Sequence, residues 1–69
     1  MMILRRAVFD SNKVYVVKNG RVERRELEIG FVALNVVEVR KGLEVGELVI
    51  VDRIDEFREG QRVRVEVMK

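Results

Sequence analysis

The stretch VVEVRKGLEVGELVIV, residues 36–51, decides how the chain is read. Val37 and Val39 alternate with Glu38 and Arg40, the period-two pattern of a strand with one buried face. Leu48, Val49, Ile50 and Val51 run without a polar break, as expected of a strand covered on both faces. Between them lies a compact turn, Lys41-Gly42-Leu43-Glu44-Val45-Gly46, with a glycine at each end of its tight part. The stretch predicts a central hairpin from Val36 to Val51 on which the rest of the chain packs. The second face of Leu48–Val51 is read as core, with docking of another protein as the alternative.

Upstream, Lys13 to Lys18 (KVYVVK) is rich in β-branched and aromatic residues and predicts a strand. Asn19-Gly20 follows, and both residue types accept the positive φ of a type I′ turn. Arg21 to Ile29 is expected to return as the partner strand. Val22 falls on even parity in it, whereas Leu27 and Ile29 fall on odd parity, so a flat strand cannot send all three to one face. A β-bulge or sharp bend near Arg24-Arg25-Glu26 would reconcile them. Gly30 breaks the run, and Phe31-Val32-Ala33-Leu34 leads through Asn35 into the central hairpin. At the amino-terminal side, Ile3 to Phe9 reads as a strand and Asp10-Ser11-Asn12 as a turn.

Downstream, Ile54 and Phe57 lie one helical turn apart among charges, which fits a short helical cap closed by Gly60. From Gln61 to Val67 the chain alternates again. Val63, Val65 and Val67 are expected inward, and Arg62, Arg64 and Glu66 outward. The segment Leu43 to Val49 is echoed by Phe57 to Val63, each with an apolar residue three positions before a glycine. We read the echo as one turn design used twice, too short for a repeat architecture.

A chain of 69 residues holds one domain, residues 1–69, with a small core. No cysteine and no histidine are present, which removes thiolate chemistry, disulfides and the commonest metal ligand and general base. Ser11, the single serine, sits in a turn without a base beside it. The carboxylates Asp52, Asp55 and Glu56 cluster, but Arg53 and Arg58 stand among them, as in a solvated ion-pair group; no metal or other cofactor is expected. Gly42 and Gly46 match neither phosphate-loop spacing and lead into a strand, so they are turn residues. Catalysis is not expected.

Net charge is +2, from 14 basic and 12 acidic residues. Arg21, Arg24, Arg25, Arg62 and Arg64 would suit a nucleic-acid face, yet Glu23, Glu26, Glu28 and Glu66 are interleaved with them. A single-strand surface also needs exposed stacking aromatics, whereas Phe9, Phe31 and Phe57 read as core or cap plugs. No run approaches the roughly 18 apolar residues of a membrane span. Met1-Met2-Ile3-Leu4 is too short for a signal-peptide core, so the chain itself is expected to be soluble.

Taken together, YVVKNGRVERRELEIG, then VVEVRKGLEVGELVIVD, then FREGQRVRVEV resembles the carboxy-terminal part of bacterial membrane fusion proteins, the HlyD-like periplasmic adaptors of efflux pumps. The order holds from Ala7-Val8 through Val67. The resemblance implies a membrane-proximal β-barrel outside the inner membrane, set against an RND- or ABC-type transporter. Such a domain is a protein–protein interaction module, coupling the transporter to an outer-membrane channel in efflux. It implies other adaptor subunits as partners and no small-molecule substrate. Asn19, Gly20, Gly30, Gly42, Gly46 and Gly60 fall at the family's structural turns. Adaptors also carry a membrane anchor or lipidated terminus, a helical hairpin and a lipoyl-like domain. The chain is accordingly expected to be an excised domain or a stand-alone relative, with an unpaired edge strand that favours self-association.

The expected fold is all-β, a small barrel of about six or seven short antiparallel strands with one short helical cap. The expected role is that of an efflux-adaptor interaction domain, with Arg62, Arg64 and Glu66 as the candidate interaction face. The alternative is an SH3- or OB-like barrel that binds nucleic acid.

Overall fold

The computed structural model describes residues 1–64. Among them are six strands: β1 (Met2–Leu4), β2 (Lys13–Lys18), β3 (Arg21–Glu26), β4 (Glu28–Val32), β5 (Val36–Lys41) and β6 (Leu48–Val49). They form two three-stranded sheets, ordered β1-β5-β4 and β3-β2-β6, with every pairing antiparallel. The fold is all-β as expected, with its strands divided between two sheets and not joined in one closed barrel. The short helical cap is a 3₁₀ turn at Ile54–Glu56.

The β2–β3 hairpin follows its sequence closely. Asn19 and Gly20 take φ of 54° and 74°, both positive as a type I′ turn requires, and Lys18 pairs with Arg21 and Lys13 with Glu26. The core lies between the sheets and contains Val14, Val16, Leu27, Val37 and Val39, with Ile3, Val8, Ile29, Leu43 and Val49 packed around it. The described residues bury no polar or charged side chain.

The central hairpin does not form. β5 is the middle strand of its sheet, with β1 on one edge and β4 on the other, so no edge is left for β6. The chain therefore leaves the first sheet after Lys41, crosses, and lays β6 beside β2, pairing Leu48 with Val17 and Val49 with Val16. Nor is Leu48–Val51 covered on both faces. β6 is a two-residue edge strand on which Val49 faces the core while Leu48 is 51% exposed.

The parity conflict in residues 21–29 has a different solution from a bulge at Arg24–Glu26. β3 ends at Glu26, Leu27 turns the corner, and β4 begins at Glu28 in the other sheet. At that corner the Leu27 N–H donates to the Asn12 carbonyl at 2.8 Å, and Asn12 Nδ2 donates back to the Leu27 carbonyl at 3.4 Å. Val22 pairs with Val17 and so faces away from the core side occupied by Val14 and Val16. It is nonetheless buried, because residues 60–61 bind its backbone: Val22 N–H donates to the Gln61 carbonyl and Gly60 N–H to the Val22 carbonyl. The sheet thus buries apolar side chains on both faces. The register irregularities lie in the β4–β5 pair: Arg40 is extra on β5 between the Glu28–Lys41 and Ile29–Val39 pairs, and Gly30 and Phe31 stand opposite Glu38 alone.

Two further expectations change. Residues 3–9 are not one strand: β1 stops at Leu4 and Arg5–Ala7 forms a 3₁₀ turn. A strand would send one of Arg5 and Arg6 inward, whereas the turn leaves both in solvent and buries Ala7. Phe31 is no core plug but is 53% exposed, because the bulge carries it to the end of an edge strand. Phe9 and Phe57 are half-buried, and Phe9 stacks on Tyr15 with ring centroids 4.6 Å apart.

Candidate interaction surface

Of the six expected turn residues, Asn19, Gly20, Gly42, Gly46 and Gly60 lie between strands or beyond them, and Gly30 does not. The sequence echo is matched by two turns of the same construction. Glu47 N–H donates to the Glu44 carbonyl at 3.2 Å, and Glu44 N–H to the Glu47 carboxylate at 2.8 Å. Gln61 N–H donates to the Arg58 carbonyl at 3.1 Å, and Arg58 N–H to the Gln61 side-chain oxygen at 3.1 Å. Gly46 and Gly60 occupy the same place in the two turns with φ of 94° and 85°. Gly30 lies inside β4, packed against the Glu38 and Arg40 side chains.

The crossover after β5 is clamped to β3 by one side chain. Arg25 Nη1 donates to the Gly42 carbonyl and to Glu47 Oε1, both at 2.9 Å, while Nη2 reaches Glu47 Oε2 at 2.9 Å and Glu23 Oε1 at 3.0 Å. The Arg25 and Glu47 side chains are only 22% and 20% exposed, so this two-pronged pair is better shielded than an ordinary surface ion pair. Glu47 raises the Arg25 guanidinium above the usual arginine value, against partial desolvation, and Glu23 adds to the effect. The same hydrogen bond from Arg25, with one from the Glu44 N–H, holds the Glu47 carboxyl below its ordinary value of 4.5.

A depressed carboxylate stabilises the fold fully above its ordinary value, and that contribution is lost as pH falls through the lower folded value. The urea midpoint of the chain is expected to drop as pH falls below 4.5, and that of Glu47→Gln to drop less over the same range. Equal pH dependence in the two proteins would show that the clamp does not contribute.

The five arginines considered for nucleic acid do not gather on one surface. Arg25 pairs with Val14 and lies on the core side of its sheet, whereas Arg24 pairs with Tyr15 and lies on the other. Arg21 donates to the Gly60 carbonyl at 3.2 Å and forms an isolated bridge with Arg62. Of the candidate interaction face, Arg62 and Arg64 are exposed, and Glu66 lies outside the described residues. Arg53 is paired at 3.9 Å with Glu56 and takes the Asp52 carboxylate on its backbone N–H, both in solvent.

The structure also brings together a surface that the sequence does not show. At the end of the β1-β5-β4 sheet a hollow of about 580 Å³ is lined by Leu4, Arg5, Arg6, Leu34 and Asn35. Arg5 N–H donates to the Asn35 carbonyl at 2.8 Å, which ties the end of β1 to the β4–β5 loop. The one local signal was the Arg5-Arg6 pair directly after an apolar strand. The described residues hold no helix long and apolar enough to cross a membrane.

Residues 5–56, most of the chain, match the model of a protein family described as RND MFPs, C-terminal permuted SH3 domain. No curated protein and no solved structure matches.

Proposed function

The chain belongs to the C-terminal permuted SH3 domains of RND membrane fusion proteins, and on that premise we propose that it is the protein–protein interaction domain of a periplasmic efflux adaptor. Membership carries an adaptor role in RND efflux, a non-enzymatic kind of function. In this reading the domain, taken as one unit over residues 1–69, stands outside the inner membrane. There it engages an RND- or ABC-type transporter and other adaptor subunits, and couples transport to an outer-membrane channel. The observation that carries the reading is the extent of the family match, which runs from the 3₁₀ turn after β1 to the 3₁₀ turn after β6 and so takes in five of the six described strands. The end of β4 and the loop after it support it, because they expose Phe31, Val32 and Leu34.

Deleting the codons for residues 5–56 in the host is expected to sensitise cells to the pump's exported compounds as much as deleting the transporter does. Unchanged susceptibility would overturn the adaptor reading. The reading also includes association of copies through an edge strand, since β1, β4 and β6 each pair on one side only among the described residues. Sedimentation at high micromolar concentration is expected to show a dimer or larger species, and a strictly monomeric profile would remove that part.

A further inference from the structure

We infer that the hollow at the end of the β1-β5-β4 sheet is a docking surface for an extended, acidic segment of a partner protein, one with carboxylates spaced between apolar side chains. The inference rests on the interaction-domain reading and gives it a place and a chemistry. Arg5 and Arg6 are both exposed and, like most of the arginines, have no ion-pair partner among the described residues; the Arg5 guanidinium reaches only the Leu34 carbonyl, at 3.5 Å. None of the residues that line the hollow is acidic. Two guanidiniums left without counter-charge in a concave site are complementary to carboxylates, which guanidinium binds through paired hydrogen bonds.

Apolar surface flanks the charge. Leu34 is 82% exposed and Leu4 is 39% exposed, and a smaller hollow reaching Val32 adjoins across Arg5. Single exposed apolar residues are ordinary on protein surfaces, whereas apolar residues grouped within a polar rim mark interaction sites. β1 is the terminal strand of its sheet, so its outer edge offers backbone groups beside the hollow. An extended chain meets all three features at once: backbone along the edge, apolar side chains on Leu4 and Leu34, and carboxylates on Arg5 and Arg6. A lipid surface shares the charge preference but has no backbone to present to the edge, and it is the competing occupant that the test separates.

The test uses the 69-residue chain, isotope-labelled, with amide shifts followed during three titrations: a short peptide of alternating valine and glutamate, its valine–lysine counterpart, and phosphatidylglycerol vesicles. Saturable shifts confined to residues 4–6 and 32–35 are expected with the glutamate peptide and not with the lysine peptide. Arg5→Glu combined with Arg6→Glu is expected to weaken that binding about tenfold or more. Leu34→Asp, at a site too exposed to disturb folding, is expected to weaken it independently. Shifts centred elsewhere, equal binding of both peptides, or perturbation of these residues by vesicles alone would each overturn the inference. If the patch fails while the codon deletion still sensitises cells, only the location falls. If the patch binds while the deletion has no effect, the efflux reading falls and the surface stands.

Discussion

Gly42→Ala is expected to cost about 3 kcal/mol, whereas Gly46→Ala and Gly60→Ala are each expected to cost about 1 kcal/mol. All three glycines have positive φ, but they differ in what surrounds them. A Cβ at Gly42 would lie 2.6 Å from the Glu26 carbonyl oxygen and 2.8 Å from Leu27 Cδ2, while nothing lies within 4 Å at Gly46 or Gly60. The first obstacle is backbone, held where the chain passes between sheets, and it has no rotamer through which to retreat. The φ of 108° at Gly42 is also further from the left-handed minimum than the 85° at Gly60. Arg25 binds the Gly42 carbonyl, so moving the loop aside would also open the clamp to Glu47. Urea midpoints of the three variants provide the comparison. Equal losses would mean that the crossover shifts freely, and the close approach at Gly42 would then have no energetic importance.

Leu27→Ala is expected to be about as damaging, at roughly 3 kcal/mol, because it removes a buried side chain and leaves a cavity. Leu27 is 4% exposed and belongs to the core cluster with valines from both sheets. A domain of this length has a total stability of only about 3–10 kcal/mol. A fall in Tm of roughly 15 °C is therefore expected. Leu27→Met, which keeps most of the volume, is expected to lose less than about 1.5 kcal/mol. If both variants melt alike, the corner and not the packed volume is what Leu27 contributes.

How much of this was legible differs by segment. KVYVVKNGRVERRE carries strand propensity, alternation and a turn that admits one geometry, and the hairpin follows it residue for residue. The paired turns at Gly46 and Gly60 were legible because their geometry is local. The placing of β6 was not, since Leu48–Val51 says only that it wants cover, and which strand has an open edge is settled elsewhere in the chain. Val22 was informative and was misread. Its wrong parity marks a second buried face on the β3-β2-β6 sheet, which no reading with one core per strand allows. The exposure of Arg62 and Arg64 was legible from alternation. The hollow at Arg5 and Arg6 needs residues 34 and 35 brought beside the end of β1, a juxtaposition that periodicity cannot reveal.

The two sheets are interleaved along the chain. One takes residues 2–4, 28–32 and 36–41, and the other takes 13–18, 21–26 and 48–49. A cut between Lys41 and Leu48 leaves the first sheet complete but takes β6 from the second, and no cut between Lys13 and Val49 leaves the second sheet whole. During synthesis, the second sheet must therefore wait for β6, while the β2–β3 and β4–β5 hairpins can form early from neighbouring residues. A nascent chain stalled before Leu48 leaves the edge of β2 at Val16 and Val17 without its partner strand and the core without Val49. The first sheet can thus be complete before the second, which depends on Leu48 and Val49.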